Sequence, residues 1–430
     1  MSHSETNHSE TNRSIRRGAF LAAAVLLTAG LVACTPGGAT NTPTEPVATG
    51  SNGAPAPVTL TWWDYYQEGS SASEALQGLL DKYQEENSTV TINREFIAYA
   101  DLKQSILQSA GAGSLPDVVI INGPDHQQFA ELGVAVNLDE QLAEWGELDQ
   151  YAPGVIASAS YNGSVYGLPA SANTLALFYN KELLDAAGLT PPTTWEEMEA
   201  TAAALTTSDT YGFAYSAINN QQAVFQFLPA LWQSGADLYD LTSDDAAASL
   251  DYWAGLVDAG SVSKEALNWD QKMVAIEFAE GRAAMMINGP WQLPFLASDA
   301  PNIDYGVALL PAGKVDASVT GGENYMIMTG PNEVAAWDLL KWLQKPENVS
   351  EMVIAGGSLS TRNDIDPYPG NDIMNLFAEQ LQVAKPRAYG PAYAEIADQV
   401  VVAIQARLTG AASSSDALKT AASAIKPLLP

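Results

Sequence analysis

Between residues 58 and 121 the chain is written as strand, helix, strand, helix, strand, an order compatible with few folds. Val58–Trp63 is apolar and β-rich. From Ser71 to Glu86, Ala72, Ala75, Leu76, Leu79, Leu80 and Tyr83 recur at helical spacing, behind a capping box Ser71-x-x-Glu74. Val90, Ile92 and Phe96 belong to a second strand, Tyr99–Ala110 to a second helix, and Asp117–Ile121 reads as a strand buried on both faces. A βαβαβ unit of this kind forms a parallel sheet covered by helices, with ligands bound beyond the carboxyl ends of its strands. Trp63–Tyr66 and Asn122–Asp125 fall there.

Beyond Tyr166 the pattern restarts. Thr174–Tyr179, Tyr211–Tyr215 and Ala283–Ile287 read as strands. Helices are expected at Lys181–Ala187, behind the box Thr194-x-x-Glu197, at Ala223–Gln233, Asp244–Ala259 and Gln271–Glu280. A strand Tyr325–Met328 and a helix Glu333–Leu343 follow. Two α/β units with similar logic predict two lobes around a cleft.

Residues 1–33 have another character. Arg13, Arg16 and Arg17 precede an uncharged run from Gly18 to Ala33, the layout of a secretory signal, too short to span a bilayer comfortably. The run ends in Leu31-Val32-Ala33-Cys34, which resembles the bacterial lipobox and implies a diacylated Cys34 at the mature amino terminus. Residues 34–57, rich in Gly, Pro, Thr, Ser and Ala, cannot bury enough apolar surface to order and are expected to be a lipidated flexible tether. The implied location is the cell surface or periplasm, with the membrane reached through the anchor.

Composition closes off several chemistries. Cys34 is the only cysteine and the chain has three histidines, of which only His126 follows the signal. Neither a disulfide nor a zinc site built on two or three histidines can form, and no metal or cofactor is expected. No G-x-S-x-G elbow and no phosphate-binding G-x-x-x-x-G-K-[ST] loop is present. With 50 acidic and 19 basic residues the formal charge is −31. Such a surface repels nucleic acid and anionic lipid headgroups.

Several segments together resemble the extracellular solute-binding proteins that serve ABC importers, in their carbohydrate branch, which includes maltose-binding proteins. They are Tyr166–Pro169 leading to Leu177–Lys181, Thr193–Glu197, Phe278–Trp291, Thr320–Tyr325, the helix around Trp337–Trp342, and Gly357–Arg362. The resemblance implies an α/β, two-lobed periplasmic-binding-protein fold of type II with the ligand cleft between lobes. It assigns 58–168 and 317–365 to an N-lobe and 169–316 and 366–430 to a C-lobe. It implies no catalysis: a monomer closes on a mono- or oligosaccharide and delivers it to ABC permease subunits.

Sugars present C–H patches, which suit aromatic faces, and hydroxyls, which suit carboxylates, amides and guanidinium groups. Trp291, after the turn Asn288-Gly289-Pro290, matches a family position that stacks on the ligand, and Asp125 one that accepts hydroxyls. Trp62 and Trp63 point to opposite faces of a strand, so one is core and Trp63 is a cleft candidate. Asp64 either binds hydroxyls or solvates a turn, and Tyr65 or Tyr66 can stack. Asn173 follows a lobe crossing. Trp232 and Trp269 either face the cleft or pack between helices. Gly322 and Glu323 lie at another crossing. Arg362 either holds hydroxyls or braces the hinge by an ion pair. Trp145, Trp195, Trp253, Trp337 and Trp342 read as packing residues.

Two rivals stay open from sequence. A secreted glycoside hydrolase also places carboxylates near tryptophans, but needs two held about 5–10 Å apart, and the acids here form no tight pair. A lipoprotein that binds a peptide or another non-sugar solute would close on its ligand in the same way.

Overall fold

The computed structural model describes residues 56–430, Ala152 excepted. The expected leader 1–33, Cys34 and all but the last two residues of the tether 34–57 lie outside the described residues. Among the described residues no helix is long and apolar enough to cross a membrane.

In chain order the strands are β1 (Val58–Asp64), β2 (Val90–Phe96), β3 (Val118–Asn122), β4 (Ser160–Tyr161), β5 (Ser164–Val165) and β6 (Gly167–Pro169). The second series is β7 (Ala176–Asn180), β8 (Met285–Asn288), β9 (Tyr305–Ala308), β10 (Ser318–Val319), β11 (Glu323–Ile327) and β12 (Ala384–Lys385). The first lobe is a five-stranded sheet, β2-β1-β3-β11-β6, in which β1, β2 and β3 are parallel and β11 runs antiparallel between β3 and β6.

Alternation along β3 explains its uninterrupted apolar sequence. Val118 and Ile120 pack on one side with Leu60, Trp62 and the helix face Leu76, Leu79, Leu80 and Tyr83. Val119 and Ile121 pack on the other with Leu102, Ile106 and Phe129. Each fully buried side chain of this size contributes roughly 1.5–3 kcal/mol. The first helix spans Ser71–Glu86 as its periodicity predicts, but its cap is Ser70, whose side chain accepts from the Ser73 amide at 3.2 Å.

The second lobe holds the antiparallel sheet β8-β7-β9 and a larger set of helices. Helices Gln221–Gln233, Asp244–Asp258, Tyr393–Leu408 and Ser414–Ile425 pack around Trp232 and Trp253 in one core. The expected strand Tyr211–Tyr215 is reduced to isolated bridges, Tyr211 to Ala283 and Ala214 to Met286. Its donors diverge: the Tyr211 and Ala214 amides bond the Arg282 and Met285 carbonyls, whereas the Phe213 amide turns to the Ser261 carbonyl and the Gly212 amide to Thr206 Oγ1 at 3.1 Å.

Three segments cross between the lobes and are tied together by backbone. Asn173 and Gly321 exchange both amide–carbonyl bonds, at 3.0 and 2.8 Å, and Ala172 and Leu359 do the same at 3.3 and 2.8 Å. These short ladders join the chain after β6, the chain before β11 and the loop beyond helix Pro346–Gly356 into one hinge.

Candidate functional site

The carboxyl ends of β1 and β3, the crossings and the second lobe enclose a cavity of about 680 Å³, within the range of small-molecule sites. Its floor is formed at the hinge. The Tyr65 hydroxyl donates to Glu323 Oε1 at 3.1 Å, the Ser171 hydroxyl donates to Glu323 Oε2, and the Glu323 amide donates to Ser171 Oγ at 3.3 Å. Burial raises the Glu323 carboxyl above its ordinary pKa, opposed by the Ser171 and Tyr65 bonds and by Arg387. Burial also raises the Tyr65 hydroxyl, assisted by the Glu323 charge. Gly322 has φ +135°, and a Cβ there would sit 2.2 Å from the Ser171 carbonyl oxygen; only glycine allows this close turn.

Trp291 forms the opposite wall, supported from β8. A Cβ on Gly289 would sit 1.8 Å from Trp291 Cζ3, so the glycine is what lets the indole fold back over its own turn. The ring lies 6.1 Å from Phe225, and both rings face the cavity. Tyr65 stands edge-on to Tyr99 at 5.1 Å, and the Tyr99 hydroxyl accepts from Asn122 Nδ2 at 3.1 Å. Aromatic faces from both lobes thus meet amides, hydroxyls, the carboxyls of Glu68, Asp270, Asp299 and Glu323, and the basic groups of Lys272 and Arg387, a set suited to a polyhydroxylated guest.

The profile of the bacterial extracellular solute-binding proteins matches residues 78–374. The chain belongs to that family. This solute-binding protein is 25% identical over 356 residues to the galactooligosaccharide-binding protein of Bacillus subtilis, covering 76% of this chain and 80% of that one. It is 27% identical over 304 residues to the maltotriose-binding protein of Pyrococcus abyssi, covering 66% and 64%. An ABC-transporter solute-binding protein of Thermotoga lettingae, solved with α-D-tagatose, superposes with TM-score 0.80 at 26% identity, over 86% of this chain and all of that one. The two-lobed α/β architecture is therefore that of the family, whose members are binding proteins.

Of the residues singled out in sequence, Tyr65, Tyr66, Asn122, Asn173, Trp291, Gly322 and Glu323 line the cavity. The others do not. Asp64 is fully buried inside β1: its carboxylate holds Arg94 through two bonds of 2.7 and 2.9 Å and accepts from Trp62 Nε1 and the Tyr66 amide. Trp62 is core, and Trp63 packs on the other face beside Tyr65 without reaching the cavity wall. Asp125 sits behind the wall, 8% exposed, accepting from Gln221 Nε2 across the cleft at 3.3 Å; burial raises its pKa.

In the solute-binding protein's second lobe, Trp232 is buried, donating to Asp237 and the Tyr389 hydroxyl, both at 3.1 Å. Trp269 packs against the two cores there. Asn288 is fully buried and acts on the wall indirectly, donating to the Gln271 carbonyl at 2.9 Å. Arg362 is a brace: its guanidinium pairs with Asp364 and Glu147, donates to the Gln344 carbonyl and lies over Tyr151.

Sequence reading missed Tyr99, Gln221, Phe225 and Arg387. The amide run Asn219-Asn220-Gln221-Gln222 before an apolar helix was a usable signal, since Asn220 caps that helix and leaves both glutamines at the cavity. No local pattern singles out Arg387, which reaches the wall from the chain beyond β12.

Proposed function

We propose that this protein captures a mono- or oligosaccharide between its lobes by hinge closure and delivers it, chemically unchanged, to the membrane subunits of an ABC importer. The observation that carries this reading is the interlobe cavity, where Trp291 and Phe225 on one side face Tyr65 and the hydrogen-bonded Glu323 on the other. Rings take the C–H faces of a sugar and the polar groups take its rim, so the full set of contacts exists only in the closed form. The saccharides and the monosaccharide-type ligand named for the relatives support that ligand class. In this reading Cys34 carries two acyl chains, residues 34–57 give reach, and a monomer works at the cell surface or in the periplasm.

A thermal-shift screen against mono- and oligosaccharides, read together with chromatography of each mixture, tests the proposal. A ligand at 100 times its dissociation constant adds about 2.7 kcal/mol of stability. A melting point raised by at least one saccharide, with that saccharide recovered intact, is the expected result. A flat screen, or hydrolysis products in the mixture, sinks it.

A further inference from the structure

Two side-chain bonds join the lobes at the carboxyl end of β3, apart from the backbone ladders of the hinge. Arg387, in the second lobe between β12 and helix Tyr393–Leu408, sits between the rings of Phe225 and Tyr393, whose centres lie 4.7 and 5.9 Å from its guanidinium. Its Nη2 donates to Asn122 Oδ1 at 3.0 Å, and Asn122 Nδ2 in turn donates to the Tyr99 hydroxyl at 3.1 Å. On the same turn, Asp125 Oδ1 accepts from Gln221 Nε2 at 3.3 Å. The segment Gly123–Asp125 between these acceptors packs against helix Tyr393–Leu408.

Charge crosses the same seam. Burial raises the carboxyls of Asp125, in the first lobe, and Asp398, on helix Tyr393–Leu408; the Lys103 charge opposes that rise in both, and the Glu395 charge adds to it in both. Lys103 belongs to the first lobe's helix Tyr99–Ala112, so one ammonium stands between a carboxyl of its own lobe and two of the other. Lys103, Asp125, Glu395 and Asp398 are not among the residues lining the cavity. The hinge ladders tie the crossing segments to one another, whereas these groups span the gap between the lobes. Bonds that exist only when the lobes meet favour the closed form whatever the guest. A shift in the open–closed balance then changes the affinity for every guest by the same factor.

We propose that the Arg387 to Asn122 and Gln221 to Asp125 bonds, with Lys103 facing Glu395 and Asp398, form a latch that holds a fraction of the protein closed before any ligand arrives. The inference rests on the hinge-closure reading and adds to it the groups that set the open–closed balance without touching the guest.

Small-angle scattering of the ligand-free protein tests the latch without any saccharide. The wild type is compared with Lys103→Glu, with Asp125→Ala and with the exchange Lys103→Glu/Glu395→Lys, each checked for a cooperative melting transition. Both single variants are expected to be more expanded than the wild type, and the exchange to return toward it. Calorimetry with the tightest binder among maltotriose, galactotriose and D-tagatose is expected to show affinity about 10-fold weaker in Asp125→Ala, the order of one bond to a charged group. Three results overturn the latch and leave saccharide capture standing: a wild type as expanded as the folded single variants, unchanged affinity in both of them, or an exchange variant no nearer the wild type than Lys103→Glu. No binding of any saccharide, with the expansion still seen, overturns the saccharide reading and leaves the latch in place.

Discussion

His126 offers a quantitative test of how tightly the first lobe is packed beneath the site. The imidazole is fully buried and, among the described residues, neither ring nitrogen has a hydrogen-bond partner. Burial pushes its pKa down to about 3, against a smaller opposing pull from the Tyr166 backbone; in an unfolded chain it is about 6.5. As pH falls below 6.5 the unfolded chain takes up a proton that the folded protein refuses until about pH 3. Stability from this group is thus fully present above pH 6.5 and lost on acidification, at up to about 1.36 kcal/mol per pH unit. Between pH 7 and pH 5 the loss is about 2 kcal/mol. Urea unfolding of the wild type and of His126→Gln at the two pH values isolates it, because the neighbouring Asp125, whose raised pKa acts with the opposite sign, is common to both. The wild type is expected to lose about 2 kcal/mol more than the variant over that interval. Parallel pH dependences in the two proteins would refute the buried, neutral imidazole.

Three further perturbations separate structure from binding. Asp64→Asn strips the Arg94 guanidinium of a buried charged partner and should cost about 3–5 kcal/mol in urea unfolding, while folded protein binds saccharide unchanged; lost affinity with retained stability would return Asp64 to the site. Trp291→Ala should weaken saccharide binding by about 2 kcal/mol, roughly 30-fold, measured by calorimetry, with little change in the ligand-free melting point; unchanged affinity removes the indole from the site. Gly322→Ala forces a Cβ against the Ser171 carbonyl at φ +135° and should lower the melting point by more than the equivalent of about 1 kcal/mol; a neutral substitution would show that the crossing is not as close as the structure has it.

The first sheet was readable because period and burial coincide in it. Helix Ser71–Glu86 shows one apolar face to one sheet, and β3 is apolar throughout because both its faces are covered. Helix Trp195–Leu205 likewise begins where its capping box says, with Thr194 Oγ1 accepting from the Glu197 amide at 3.2 Å. The segment Tyr211–Tyr215 was misread because its apolar run resembles a full strand, while its backbone donors are divided among the Arg282, Ser261 and Met285 carbonyls and the Thr206 hydroxyl. Those partners are named by tertiary contact, not by local pattern.

The site divides along the same line. Trp291 was legible because its turn is local: Asn288 and Gly289 sit next to the ring they position. Asp64, Asp125 and Arg362 carry chemistry that suits a sugar, yet each is spent on a distant partner. Arg94 reaches Asp64 only because β1 and β2 pair with Trp62 opposite Arg94. Gln221 reaches Asp125 only because two lobes meet. Most elements, the Thr194 cap and the turns that need glycine were legible locally, since these depend on residues a few positions apart. Which charged groups face the cavity was decided by strand register and lobe contact, and so Arg387 came into view only in the folded protein.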